Sequence, residues 1–221
     1  MKLAKSIGRL GTETAFEVLA KAKKLEAQGK DIVHLEIGEP DFETPDHIKE
    51  AAKKALDDNF THYVPSPGLM EVREVIAEHQ SAVHNKNISP ENVVFTPGAK
   101  PIMFFTIMAL IEPGDEVIYP NPGFPIYESM INYVGGKAVP MELKEEKEFN
   151  ADVDLIEQSI TDKTKLIILN SPNNPCGSVM EPSDIKKVAD IAKEKDIVIL
   201  TDEVYKDLYF EGSHNSVYDY D

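Results

Sequence analysis

Two unbroken apolar runs, Leu166-Ile-Ile-Leu169 and Ile197-Val-Ile-Leu200, with a helical stretch over 182–195 between them, constrain this chain more than any other feature. A strand without polar alternation must be buried on both faces, and a strand–helix–strand order joins strands that run parallel. The same alternation recurs upstream, with strands expected at 93–96, 116–119 and 137–139 and helices at 99–111, 125–133 and 152–159. Together they predict an α/β fold, a three-layer sandwich with a mostly parallel sheet between helices. At 221 residues and 42% hydrophobic composition, the chain can bury a sizeable core. Before the main sheet, the pattern predicts helices over 13–28, 45–57 and 68–85 and a short strand over 32–37.

Loops that follow the carboxyl ends of parallel strands gather at one edge of the sheet. The first run exits into Asn170-Ser-Pro-Asn-Asn-Pro-Cys-Gly177 and the second into Thr201-Asp-Glu-Val-Tyr205, which brings the Asn174 amide, the Asp202 carboxylate and the Tyr205 phenol to that edge. A carboxylate can hold a pyridinium nitrogen protonated, while an amide and a phenol can donate to a ring oxygen. Singly, Asp202 reads as well as a capping or solvated acid, and Asn174 as a residue that shapes the turn before Pro175. Upstream, Val93-Val-Phe-Thr96 runs into Pro97-Gly-Ala-Lys100 and an apolar helix, so the amides of Gly98, Ala99 and Lys100 are expected at a helix N-terminus, where an anion is favoured. Many such junctions are merely tight turns. Phe124 lies in the rigid turn Tyr119-Pro-Asn-Pro-Gly-Phe-Pro-Ile-Tyr127, where an ordinary core aromatic is the commoner reading.

In this order and in these contexts, the motifs resemble the class I/II aminotransferases, enzymes of fold type I that use pyridoxal 5′-phosphate. The resemblance implies Asp202 at the ring nitrogen, Asn174 and Tyr205 at the ring oxygen, Phe124 on the ring face, and Gly98, Ala99 and Lys100 at the phosphate. It matches Tyr63, in Thr-His-Tyr-Val-Pro-Ser-Pro-Gly-Leu-Met-Glu-Val-Arg, to a tyrosine that reaches the cofactor phosphate of a neighbouring subunit, which implies a homodimer. Gly38, in Gly-Glu-Pro-Asp, matches backbone that meets the substrate carboxylate. A surface tyrosine and a turn glycine are the plain alternatives. Cys176 stands where relatives usually carry Thr. The implied organisation is an N-terminal segment, 1–45, that contributes to a small domain, and an incomplete cofactor-binding large domain, 46–221.

The family's Schiff-base lysine lies a few tens of residues beyond the Asp-x-x-Tyr motif, and its substrate-binding arginine later still, so neither is expected within 1–221. No catalytic residue is therefore assigned. Lys206 follows Tyr205, where alternation would point it away if the strand continues, and Lys100 belongs to the phosphate loop. The expected sheet is truncated before its last strands, two of which in the family lie between the strands matching 93–96 and 197–200. The chain is accordingly expected to be a fragment of an aminotransferase that moves an amino group between an L-amino acid and a 2-oxo acid. A C–S lyase-like relative on the same fold and a non-catalytic cofactor-binding or partner-binding remnant are the alternatives.

Composition excludes several other classes. With 23 Lys and Arg against 39 Asp and Glu, the net charge of −16 repels phosphate backbones and anionic membranes. Cys176, the one cysteine, allows no internal disulfide and no cysteine metal cluster, so a reducing, cytoplasmic setting is expected. No apolar run reaches the length of a signal peptide or a membrane span. Neither G-x-G-x-x-G nor G-x-x-x-x-G-K-[ST] occurs, which removes support for dinucleotide or P-loop binding. His34 and His62 read as structural, and 142–148 as a solvated loop.

Overall fold

The computed structural model describes residues 2–11, 14–208, 210–212 and 214–220. By contacts the chain divides into two units, Glu13–Phe95 and Met1–Thr12 together with Thr96–Asp221.

In the Glu13–Phe95 unit, α1 spans Thr14–Glu26, α2 Asp46–Asp57 and α3 Met70–His84. The expected helix start at Glu13 lies outside the described residues. Arg73 of α3 is buried, and its guanidinium donates from Nε to the Val93 carbonyl at 2.9 Å and from Nη2 to the Pro90 carbonyl at 2.6 Å. The Phe95 amide donates to the Pro67 carbonyl at 2.8 Å. These bonds explain a correction: the strand expected over 93–96 does not form. The Val93 carbonyl and the Phe95 amide are taken by a side chain and a turn, not by a ladder, and Val94 and Phe95 are exposed. Nor does a strand form over 32–37, where Val33 and Leu35 are exposed and His34 bridges Glu26 (2.9 Å) and Glu36 (2.6 Å).

The other unit is built on four parallel strands, β1 Glu116–Asn121, β2 Lys137–Glu142, β3 Thr164–Asn170 and β4 Val198–Asp202, in the spatial order β2-β1-β3-β4. Four helices alternate with them: α4 Lys100–Leu110, α5 Ile126–Val134, α6 Val153–Ser159 and α7 Pro182–Glu194. Strand pleating sends successive side chains to opposite faces. Val117, Leu166 and Ile168 pack with Met103 and Ile107 of α4 and Tyr127 and Ile131 of α5. Ile118, Ile167 and Leu169 pack with Val153 and Ile156 of α6 and Ile185 and Val188 of α7. The expected three layers are therefore present. β1 and β3, paired on both sides, are the most buried, as their uninterrupted apolar runs require. β4 pairs only with β3 among the described residues, and Val198 on it is 46% exposed. An unpaired strand edge of this kind presents free backbone donors and acceptors.

All four strands extend beyond their apolar runs at the carboxyl end, and this carries Asn121, Asn170 and Asp202 into the sheet itself. The stretch 142–148, read as a loop, contains a short 3₁₀ turn, Glu145–Lys147, and buries Leu143. No described helix is long and apolar enough to cross a membrane.

Candidate functional site

β3 and β4 end on the same rung, where Asn170 pairs with Asp202. Asn170 is buried, and its amide joins three pieces of chain. Nδ2 donates to the Asp202 carbonyl at 3.0 Å and to the Pro172 carbonyl at 3.2 Å, while Oδ1 accepts the Asn174 amide at 2.7 Å. Asn173 closes the following turn: its side-chain oxygen accepts the Cys176 amide at 3.1 Å and its carbonyl accepts the Gly177 amide at 2.8 Å. The bonds before Pro172 and Pro175 are cis. The loop so fixed places Asn174 on a cleft of 430 Å³ that Tyr205 also lines, with Pro172, Gly177 and Val179.

Asp202 stands at the end of β4 with both carboxylate oxygens engaged. Oδ2 accepts the Tyr127 hydroxyl at 2.5 Å, and Oδ1 accepts the Val204 amide at 3.2 Å. Tyr127, on α5, is 0% exposed. Burial first, then the Asp202 carboxylate and Tyr205, push its phenol far above the ordinary value, so it stays a neutral donor. The neighbouring Glu203 steadies the strand exit. Its side chain accepts Ser216 Oγ at 2.7 Å and Thr201 Oγ1 at 3.2 Å and pairs with His214 at 3.0 Å.

Phe124 is half-buried, its ring edge-on to Tyr127 with centroids 6.0 Å apart, and Lys100 Nζ lies 5.6 Å from its centroid. The turn that presents it admits only glycine at 123, because a Cβ there would stand 2.2 Å from the Pro120 carbonyl oxygen. On the adjoining loop, Gly98 takes a φ of +89°, and its amide donates to the Thr96 carbonyl at 2.8 Å. Ala99 caps α4 and Lys100 opens it; Pro101, next in the first turn, has no N–H to donate.

Asp202, Phe124, Asn174, Tyr205 and the Gly98–Ala99–Lys100 loop thus belong to one unit, linked side chain to side chain from Lys100 through Phe124 and Tyr127 to Asp202. Gly38 and Tyr63 belong to the Glu13–Phe95 unit, where Tyr63 is fully exposed and Gly38 has open space where a Cβ would stand. Two residues that the motifs did not single out, Asn170 and Tyr127, make the contacts that tie this site together. Among the described residues no cluster of three or more His, Cys, Asp or Glu could hold a metal ion.

The probable aspartate/prephenate aminotransferase of Aquifex aeolicus (strain VF5) is 40% identical over 204 residues, which are 92% of this chain and 52% of that protein. The probable aspartate aminotransferase of Methanocaldococcus jannaschii is 44% identical over 186 residues, 84% of this chain and 49% of that one. A solved structure of Thermus thermophilus aspartate aminotransferase with maleate superposes with a TM-score of 0.95 at 37% identity, over 99% of this chain and 57% of that one. The chain spans about half the length of the curated relatives it matches. The family model for aminotransferase class I and II matches residues 30–220, and the chain belongs to that family.

Proposed function

We propose that this chain carries the pyridoxal 5′-phosphate-binding part of an aminotransferase that moves an amino group between an L-amino acid and a 2-oxo acid. One observation carries the reading: a carboxylate fixed at the last rung of a parallel strand, three residues before a tyrosine that shares its cleft with Asn174.

The donor set fits the cofactor. An ionised carboxylate has about four acceptor sites, and Tyr127 and Val204 each donate to one oxygen of Asp202, so each oxygen retains acceptor capacity. When bound, the cofactor supplies an electron-accepting pyridine ring. Asp202 would hold the proton on the ring nitrogen, Asn174 and Tyr205 would donate to the ring oxygen, and Phe124 would cover one face against water. Ala99 and Lys100, at the positive end of α4, would meet the phosphate; Gly98 would join them through its backbone. Gly38 is assigned to the substrate carboxylate and Tyr63 to a neighbouring subunit's cofactor in a homodimer, the latter supported by its full exposure. A small-domain segment at 1–45, a large-domain part at 46–221 and a cytoplasmic setting complete the proposal.

The test is titration of the purified chain with pyridoxamine 5′-phosphate, followed by ligand fluorescence. Saturable binding that Asp202→Ala weakens by about tenfold or more supports the reading, on the scale of one charge-assisted hydrogen bond. Absence of binding sinks it.

A further inference from the structure

Among the described residues, Tyr127 is the one fully buried side chain whose polar atom reaches a proposed cofactor ligand, and none of the motifs assigns it a role. We infer that Tyr127 is a positioning residue that sets the plane of the Asp202 carboxylate, and with it the contact to a protonated pyridine nitrogen, and that it couples this contact to the Phe124 wall. The inference rests on the cofactor reading above.

The geometry is specific. The last torsion of an aspartate side chain is broad and roughly two-fold, so nothing intrinsic fixes its carboxylate plane. Here one oxygen is held by a backbone amide of the loop that follows β4 and the other by a phenol from α5, two unrelated parts of the chain. The backbone of Asp202 is fixed as well, by its ladder pairing to Asn170 and by the Asn170 side chain on its carbonyl. With both oxygens and the main chain held, the lone pairs left on the carboxylate point in set directions, the condition for a short, directional contact to an N–H⁺.

Phe124 lies in the turn just before α5 and Tyr127 in its first turn, and the Tyr127 amide donates to the Phe124 carbonyl at 3.1 Å. Their rings meet at an interplanar angle of 84°. A shift of Tyr127 would therefore move the face-covering ring and the carboxylate together. Burial keeps Tyr127 in its donating form across the working pH range.

The experiment compares two ligands in the wild-type chain and in Tyr127→Phe: pyridoxamine 5′-phosphate, and its 1-deaza analogue with carbon in place of the ring nitrogen. Wild type is expected to bind the first ligand more tightly. Tyr127→Phe, which removes one oxygen and keeps the ring, is expected to weaken that ligand by about tenfold, ~1.4 kcal/mol, and to change the deaza analogue by less than about twofold. In the Asp202→Asn background, adding Tyr127→Phe is expected to change affinity for pyridoxamine 5′-phosphate no further. Equal weakening of both ligands makes Tyr127 a packing residue and overturns the inference, as does no weakening of either. Additive loss in the double variant also overturns it. If wild type does not distinguish the two ligands, or binds neither, the assignment of Asp202 to a ring nitrogen fails first, and the role of Tyr127 with it.

Discussion

Asn170 and Asp202 face each other across the last rung of β3 and β4, and the Asn170 side chain donates to the Asp202 carbonyl at 3.0 Å while accepting the Asn174 amide at 2.7 Å. One buried amide thus sets the distance between two of the groups proposed to hold the cofactor. Asn170→Ala leaves an amide N–H and two carbonyls without this partner, and each buried group so orphaned costs about 1–3 kcal/mol. The expected outcome is a loss of about 2–4 kcal/mol by denaturant unfolding and weaker binding of pyridoxamine 5′-phosphate. A variant of wild-type stability would show that Asn170 holds nothing.

Gly123→Ala is expected to act on Phe124. A methyl group 2.2 Å from the Pro120 carbonyl oxygen meets backbone, which cannot rotate out of the way. The turn must open, at a cost of about 1–3 kcal/mol for overpacking. Its signature is a changed near-ultraviolet circular dichroism signal together with weaker ligand binding; an unchanged spectrum would contradict it.

Acid should weaken the sheet at its amino edge. Glu116 is buried and is held by Lys137 Nζ at 2.8 Å and Thr161 Oγ1 at 2.6 Å, and these bonds, Lys137 first, depress its carboxyl below the ordinary glutamate value. A group depressed in the folded state contributes stability that is fully present above its unfolded value and is lost as pH falls through the folded one. Stability should therefore decline below about pH 4.5, and the decline should be shallower in Glu116→Gln. Urea midpoints measured across that range decide the matter: parallel curves for the two proteins would rule Glu116 out.

Arg73→Lys should not substitute for Arg73. The guanidinium reaches two carbonyls, Val93 and Pro90, from two different nitrogens of one planar fork. A lysine ammonium is a single point donor and cannot reproduce that geometry. Both Arg73→Lys and Arg73→Met are expected to destabilise the Glu13–Phe95 unit, by roughly 1–2 and 2–4 kcal/mol respectively. Amide exchange at Val93 and Phe95 reads the local effect, and full protection in Arg73→Met would refute it.

The layered fold was legible because its signals are local. The apolar runs at 166–169 and 197–200 mark β3 and β4 as parallel strands, although only β3 is fully buried, and the helices between the strands carry their own periodicity. What escaped depends on partners distant in sequence. The stretch 93–96 has strand composition, yet Arg73 takes up its Val93 carbonyl and Pro67 its Phe95 amide, and nothing in those four residues announces that. The groups at the carboxyl edge were legible as motifs, Asn174 and Tyr205 among them, because each follows an apolar strand directly. Asn170 was visible only as the first residue of a loop; its importance comes from a register with Asp202 that linear order does not contain. Tyr127 sat inside a quoted motif with no hint of its acceptor.

The bond from Tyr127 to Asp202 spans 75 positions and joins a helical layer to a strand laid down much later in synthesis. A contact of such high sequence separation closes only once α5 and β4 are both in place. Affinity for a pyridine ligand would then serve as an assay of completed topology: any intermediate lacking β4 would have every helix of the α4–α5 layer and still be blind to the ring nitrogen. By mass action, a ligand that recognises only the finished arrangement would also draw the folding equilibrium towards it, by about 2.7 kcal/mol at a hundredfold excess over Kd.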